Sequence, residues 1–524
     1  MKPINIPKLI SFYYELKPNP KDKLQRVKFG TSGHRGSAFK KSFNEEHVLA
    51  ISQAIADYKN EKNINGPLFL GIDSHALSTP AKITALRVFG ANKIEVLHTN
   101  EYTPTPLVSF AILEHNKNIK NSDGVVITPS HNPPEDGGYK YNPTNGGPAD
   151  THVTSEIEKK ANNYLENKNI KKISYEEAIN SDFIKEYDFI TPYVKSLKEI
   201  VDIEAIKSSN LRLAADPLGG STLPVYKKIK EFYELNIDIK NPFIDFTFSF
   251  MPPDRDGKIR MDCSSPYAMR NLIKLKDEYD LAFGNDTDGD RHGIVTPIGG
   301  LMNPNHFLSV AIWYLFKHRN WPKGLKVGKT LVSSSMIDRV AASLGVEVYE
   351  TPVGFKWFSE GLYEGWLGFG GEESAGASFL RFDGSVWTTD KDGIIMALLA
   401  AEIKAKVKDP ALIYEDLEKE FGKSYYERLD IPATPEIKEK IKNIDIKKLG
   451  IKELAGEKIE KIFTKAPGNN EPIGGVKIVT KNGWIAIRPS GTEDVYKIYA
   501  ESFISQEHLK KLQIEAKKIV EEII

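Results

Sequence analysis

The 524-residue chain has a single cysteine, Cys263, no charge imbalance (71 Lys and Arg against 71 Asp and Glu) and no long apolar run. One cysteine excludes an internal disulfide and suits a reducing compartment. Balanced charge gives no global attraction for nucleic acid or an anionic membrane, so recognition of any anion has to be local. No stretch is long enough to span a bilayer, and the opening MKPINIPKLISFYYELKPNPKDK lacks the apolar core of a signal peptide. These absences predict a cytoplasmic protein with neither nucleic-acid nor membrane partners. With 40% hydrophobic and 27% charged residues and a mean hydropathy of -0.37, the remainder describes a soluble globular chain. Its length suggests roughly three to four domains.

What is present is a cadence. Short apolar runs end in polar or glycine-rich turns, with helical stretches between them, as in GPLFLGIDSHALS (66–78), KIEVLHT (93–99), GVVITPS (124–130), LRLAADPLGGST (211–222) and VEVYETPVGFKW (346–357). The alternation predicts mostly parallel sheets covered by helices, with ligands at the C-terminal strand ends. Ser130 stands at such an end, between Pro129 and His131, displayed rather than packed. An isolated Ser-His pair is ordinarily just loop, so its meaning depends on the other unusual loops.

The first of these, FGTSGHRGS (29–37), has glycines that permit close backbone approach, with His34 and Arg35 as donors to an anion. In YDLAFGNDTDGDRHGIVTP (279–297), Asp286, Asp288 and Asp290 alternate, and an extended backbone would project all three carboxylates to one side. Crowded like charges call for a cation, and hard oxygen ligands suit Mg²⁺ or Ca²⁺. An EF-hand fails on spacing, because its sixth position is Arg291 rather than Gly and its twelfth is Pro297 rather than Glu. Magnesium is therefore expected, with Arg291 as a neighbouring positive charge for a phosphate. GLKVGKT (324–330) is not a nucleotide P-loop, since three residues rather than four separate Gly324 from Gly328. Its Gly-Lys-Thr is expected to start a strand over 330–335.

In GFGGEESAGASF (368–379), Glu372, Glu373 and Ser374 emerge from a glycine-rich turn, and carboxylates beside a hydroxyl suit a polyol. Asp390 or Asp392 is expected to cap the apolar helix that follows Lys391. Near the end, two strand-like runs, 484–487 and 495–499, flank RPSGTE. Arg488, Ser490, Gly491 and Thr492 concentrate a guanidinium, hydroxyls and backbone N–H groups, as a phosphate nest requires, and Lys497 adds a charge. Residues 150–205 read as surface helices, and 408–460 as the linker and outer helices of a smaller terminal domain. The final segment, with Leu509, Leu512, Ala516, Ile519, Val520 and Ile523 on one face, predicts an amphipathic helix on the terminal sheet.

TPSHNP, DTDGDR, GEES and RPSGTE, in that order, resemble the four signature loops of the α-D-phosphohexomutase superfamily, across the span from Gly30 to Lys497. GTSGHRG, GIDSHALS, NPTNGGPAD, TPVGFKW and TDKDG are similar to its glucose-preferring phosphoglucomutase branch. The resemblance implies an α/β fold of three similar mixed-sheet domains and a smaller C-terminal α+β domain around a central cleft. Expected bounds are 1–205 with the phosphoserine loop, 206–323 with the metal loop, 324–425 with the sugar loop and 426–524 with the phosphate loop. No fixed sequence period betrays the threefold repetition.

The implied activity is an isomerase that interconverts glucose 1-phosphate and glucose 6-phosphate through phosphorylated Ser130, with glucose 1,6-bisphosphate as intermediate and activator. Asp286, Asp288, Asp290 and the phosphate on Ser130 would hold Mg²⁺. Thr31, Ser32, Arg291, Thr351, Gly354, Lys356, Glu372, Ser374, Arg488, Ser490, Gly491, Thr492 and Lys497 would contact substrate. Lys391 and Lys140 are favoured over His131 as proton carriers, and Arg35 is grouped with the catalytic residues. The partners are hexose phosphates, and the assembly a monomer or homodimer. Mannose or N-acetylglucosamine phosphates, a bisphosphate synthase and a non-catalytic phosphorylated scaffold are the alternatives. The terminal domain is expected to be the moving part, because its Lys/Glu-rich approach lacks the apolar content of a tightly docked interface.

Overall fold

A computed structural model describes residues 3–30, 33–118, 121–444, 450–491 and 494–523. Each of the first three sheets contains the same motif: three parallel strands joined by crossovers, then a return strand paired antiparallel to the last of them. In the first sheet Leu68–Ile72 lies between Val96–His98 and Asp123–Ile127, and Asp136–Asn142 returns beside the last. In the second, Leu213–Asp216 lies between Ile237–Ile239 and Leu281–Asn285, with His292–Thr296 returning. In the third, Lys326–Thr330 lies between Val348–Thr351 and Leu367–Glu372, with Gly376–Phe379 returning. The central strands read as continuous apolar runs because both sheet faces are buried.

The repetition matters for function. The connection between the last parallel strand and its return strand carries TPSHNP in the first unit, DTDGDR in the second and GEES in the third. Three topologically equivalent hairpins therefore supply three different chemistries.

One apolar cluster joins these units, running from Phe69, Val108 and Phe110 through Phe283 and Ile312 to Val327, Phe369 and Leu398. At its centre lies the helix Gly393–Lys406, buried without a break from Gly393 to Ile403 and capped by Asp392, which accepts hydrogen bonds from the Ile394 and Ile395 amides. The 150–205 stretch is not all surface: Tyr193, Val194, Leu197 and Ile200 are buried in this cluster, and the Tyr193 hydroxyl donates to Asp392 at 2.8 Å. The strand expected over 330–335 is instead Lys326–Thr330, so Gly-Lys-Thr ends it. Lys329 is buried there beside Asp338 and Glu350.

The terminal sheet is antiparallel throughout, and the helices Pro435–Lys442 and Gln506–Ile523 pack on it. The Lys/Glu-rich 408–460 stretch is only partly helical. Pro410–Phe421 packs into the shared core, while Tyr425–Pro432 and Glu457–Lys465 are strands, their charged side chains outward. Tertiary pairing there overrides helix propensity.

The terminal domain is also docked more firmly than its composition suggests. Leu331 and Val332 of the third unit share an apolar cluster with Ile473, Trp484, Ala486 and Tyr499. Glu501, fully buried, accepts from the Ser335 amide (2.7 Å), Trp484 Nε1 (2.7 Å), the Ser424 hydroxyl (2.6 Å) and the Ser334 hydroxyl. Lys477 Nζ meets Glu350 at 2.8 Å.

Candidate active site

Ser130 follows the strand Asp123–Ile127 and adopts a left-handed backbone, φ +60°. That conformation costs a non-glycine residue about 1–2 kcal/mol and is held by bonds on both sides. The Ser130 amide donates to Thr128 Oγ1 at 2.8 Å, and the Ser130 carbonyl accepts from Thr287 Oγ1 at 2.6 Å. Gly138 of the return strand passes so close that a Cβ there would lie 2.1 Å from the Thr128 carbonyl oxygen. The result aims the Ser130 hydroxyl at Asp286 Oδ2, 3.0 Å away.

Asp286, Asp288 and Asp290 are buried, with ligand-capable atoms within 4.8 Å of one another. They converge through a tight turn, with Gly289 at φ +70°, and not through the extended backbone expected from their spacing. Lys140 Nζ lies 2.6 Å from Asp288 Oδ2 and 3.4 Å from Asp290 Oδ2, while Lys391 Nζ lies 3.0 Å from Asp290 Oδ2. Arg291 Nε is 3.9 Å from both Asp286 and Asp290. Thr105 Oγ1 donates to Asp288 Oδ2 at 2.8 Å.

Burial and the adjacent Asp288 and Asp290 raise the Asp286 carboxyl well above its ordinary range. Burial acts the same way on Asp288, but the charge and hydrogen bond of Lys140 prevail and lower it. Burial alone would lower both lysines; the carboxylates around Lys140 and Lys391 outweigh it and raise them. Both lysines are therefore held protonated, so they supply charge or donate a proton rather than accept one. Among the described residues, Asp288 Oδ1 and Asp290 Oδ1 are buried without hydrogen-bond partners. An all-oxygen donor set with two orphaned carboxylate oxygens fits a divalent cation.

His131 sits beside the nucleophile with its Nδ1 buried and unpartnered; burial and then Arg291 lower its pKa to about 3, leaving it neutral. Arg35 is on a strand rather than a loop, opposite Gly138, and its guanidinium donates to Asn132 at 3.4 Å. His34 is no anion donor. It is buried behind that strand, stacked on His47 and Phe43.

The sugar loop joins the metal loop directly. The His292 amide donates to the Ala375 carbonyl at 3.1 Å, and Arg291 bridges Gly376. Gly376 has a steric reason: a Cβ there would lie 2.1 Å from Lys391 Cδ, so the lysine stem could not cross it to reach Asp290. Glu372 accepts from the Gly354 amide at 3.0 Å, and burial, opposed by Lys391, pushes its carboxyl up to about 7. Ser374 is partly exposed at the turn, and Glu373 accepts from Thr330 Oγ1 at 2.8 Å. Thr351 is buried at its strand end, and Lys356 opens the next helix with its amine on Thr151.

In the terminal domain Arg488 and Lys497 are directly opposite on paired strands, and Asp430 stands opposite Lys497 on its other side. The row thus sets two cations against one carboxylate and favours an anion. Arg488 Nε is buried and lacks a hydrogen-bond partner among the described residues, the Ser490 amide donates to the Val495 carbonyl at 2.9 Å, and Gly491 has open space among them where a Cβ would point. Thr31, Ser32 and Thr492 lie outside the described residues.

Sequence reasoning missed Thr105 and Thr287, which tie the metal loop to the first unit, and Thr128, which holds the Ser130 amide within its own loop. Thr105 carried a signal, since it opens a helix straight after Thr103-Pro104, in a stretch that otherwise reads only as the end of a strand.

Models of all four domains of phosphoglucomutase/phosphomannomutase match the chain. The three alpha/beta/alpha domains I, II and III fall on residues 26–168, 191–299 and 303–421, and the C-terminal domain on 402–519. The chain belongs to the phosphoglucomutase/phosphomannomutase family. A relative from Komagataeibacter xylinus, called phosphoglucomutase, is 56% identical over 525 residues, covering 99% of this chain and 95% of that protein. Human phosphoglucomutase-1 is 28% identical, over 78% of this chain and 74% of its own length. The open form of Paramecium pp63/parafusin shares the fold, with a TM-score of 0.76 at 22% identity, over 96% of this chain and 95% of that one.

Proposed function

We propose that this chain is a phosphoglucomutase that converts α-D-glucose 1-phosphate to glucose 6-phosphate and back. The observation that carries the reading is the Ser130 hydroxyl, buried rather than displayed as expected, held on a left-handed turn and hydrogen-bonded to a buried triad of carboxylates. The 56% identity to a phosphoglucomutase over nearly the whole chain supports the same reaction.

Resting Ser130 carries a phosphoryl group, about -1.5 to -2 charges at neutral pH. The substrate's O6 attacks its phosphorus and loses its proton while the P–O bond to Ser130 breaks and that oxygen is protonated by a lysine, which the O6 proton then replenishes, so glucose 1,6-bisphosphate forms with no net change in protons. The bisphosphate reorients, the freed Ser130 oxygen attacks the phosphorus on O1, and glucose 6-phosphate leaves. Asp286, Asp288 and Asp290, with the Ser130 phosphate, would hold Mg²⁺, whose charge would neutralise the transferring group. Lys140 and Lys391, held protonated, add positive charge there and can donate a proton to a departing oxygen. Glu372 and Ser374 face the sugar hydroxyls. Arg488, Lys497, Ser490 and the backbone at Gly491 hold the phosphate that is not reacting.

Intact-mass measurement tests the reading. Incubation with glucose 1,6-bisphosphate should add one phosphate to the peptide containing Ser130, and glucose 6-phosphate should remove it. A chain that never takes up phosphate there is not this enzyme.

A further inference from the structure

Behind the Ser130 turn lies a buried polar hub that none of the four loops includes. Asp73, Ser74, His75 and Ser78 follow the central strand Leu68–Ile72, and none is more than 1% exposed. Asp73 Oδ1 accepts from the His75 amide (3.0 Å) and the Ser78 hydroxyl (2.6 Å), and its Oδ2 faces His75 Nδ1 (2.7 Å) and accepts from Thr128 Oγ1 (2.7 Å). Four donors saturate this carboxylate, which fixes it as the charged acceptor.

The other histidine nitrogen, Nε2, lies 3.0 Å from the Asn132 carbonyl oxygen. A carboxylate on one side and a carbonyl on the other offer only acceptors, so the ring must donate from both nitrogens and is an imidazolium. Burial opposes that charge, and the charge and hydrogen bond of Asp73 outweigh it, raising the His75 pKa.

The hub grips both flanks of the nucleophile. Thr128 Oγ1 spends its proton on Asp73 and keeps a lone pair for the Ser130 amide at 2.8 Å, while His75 holds the carbonyl two residues further on. Ser74 Oγ extends the hub to the second unit by donating to the Gly219 carbonyl at 2.7 Å. The next two residues adjoin the metal loop: a Cβ on Gly220 would meet Thr287, and the Ser221 amide donates to the Thr287 carbonyl at 2.8 Å.

We infer that Asp73, His75 and Thr128 are positioning residues for phosphoryl transfer, which hold Ser130 in its left-handed turn so that its oxygen stays in line with the group it donates and receives. This rests on the mutase reading above. None of the three need touch the sugar, so their loss should slow transfer and leave substrate affinity nearly intact.

Thr128 gives the cleanest test, because valine keeps its shape and removes only the relay hydroxyl, and serine keeps the hydroxyl and removes a methyl. The assay follows ³²P passing from labelled glucose 1,6-bisphosphate to Ser130 in rapid-quench mixing, with the bisphosphate dissociation constant measured alongside and melting curves to confirm folding. Thr128→Val should transfer ~10²-fold more slowly, the cost of about an ångström of misplacement, with affinity changed less than about threefold on the same argument. Thr128→Ser should stay within about threefold of the parent rate. His75→Gln, which can serve Asp73 or Asn132 but not both, should fall between them. Parental speed in Thr128→Val, or equal slowing in folded Thr128→Ser, would overturn the inference. A parent that takes no label would instead refute the mutase reading itself.

Discussion

Lys140→Met removes the cation that most directly offsets the acidic triad. Its ammonium is buried, 2.6 Å from Asp288 and 3.4 Å from Asp290, and Asp288 and Asp290 each keep one oxygen without a hydrogen-bond partner among the described residues. Removing one member of a buried pair costs about 3–5 kcal/mol, because the remaining charge stays uncompensated. Methionine fills much the same volume, so the loss reports charge rather than a cavity. In chelator the variant should therefore unfold at lower urea, by an amount that corresponds to about 3–5 kcal/mol on the first transition. Magnesium at a hundredfold excess over its dissociation constant stabilises a binding protein by about 2.7 kcal/mol. The increment should be larger in the variant, where a divalent cation enters a more negative well, offset only by Lys391 and Arg291. Asp286 adds a pH signature. Burial and its neighbours raise its pKa, so its proton favours the folded state at low pH and this contribution is lost as pH rises through the folded value. Losing Lys140 raises Asp286 further, so the deficit should be smallest in acid and grow toward neutrality. Tryptophan fluorescence during urea titration, with chelator and with Mg²⁺, reads all three effects. Equal midpoints in chelator, or equal magnesium increments, would refute the argument.

Ser130→Ala should abolish mutase turnover and phosphate uptake with no loss of melting temperature, since among the described residues the hydroxyl hydrogen-bonds only Asp286 and the turn already costs about 1–2 kcal/mol for any side chain; intact mass and calorimetry check both. Glu372, pushed up to about 7, should bind sugar hydroxyls better as it ionises. Substrate affinity should then rise between about pH 6 and pH 8, and Glu372→Gln should flatten that rise beyond what phosphate ionisation explains. Arg488→Ala should weaken sugar-phosphate binding by about ten- to a hundredfold, a charge-assisted contact of about 1.5–3 kcal/mol being lost, and let more bisphosphate escape in single-turnover experiments. Retention equal to the parent would deny the terminal loop a hold on the intermediate. Turnover should stop in excess chelator and return with Mg²⁺, and less well with Ca²⁺, whose longer bonds misplace the phosphate.

The four loops were legible because each concentrates residue types that folding alone seldom places together, and Asp286 to Asp290 did converge in the fold. The stated reason was wrong: an alternating spacing suggested an extended strand, whereas a turn at Gly289 does the gathering. Partnerships across hundreds of positions were illegible. Nothing in EYTPTP says that Thr105 will meet Asp288, and nothing in GIDSHALS says that Asp73 and His75 will brace Ser130. Charge-rich composition misled twice, at Tyr193 and in the strands after Ser424, because a strand or helix with one wet face carries Lys and Glu without being peripheral. The apolar cluster around Trp484 escaped notice for a related reason: its members are scattered singly over two domains and form a patch only after both have folded.

The position of the helix Gly393–Lys406 has a consequence for synthesis on the ribosome. It completes an apolar cluster to which Phe69 and Phe110 contribute from the first unit and Phe283 from the second. Until residue 403 or so has left the tunnel, the cluster lacks this helix, although Phe69 already has Tyr187 and Phe189, Phe110 has Tyr193 and Phe283 has Tyr226. At about 5–20 residues per second the wait after Phe283 is made is about 6–24 s, during which the growing chain exposes greasy surface from two nearly finished units. A nascent chain stalled before Gly393 should accordingly recruit holdase chaperones, and one stalled well beyond Lys406 should release them.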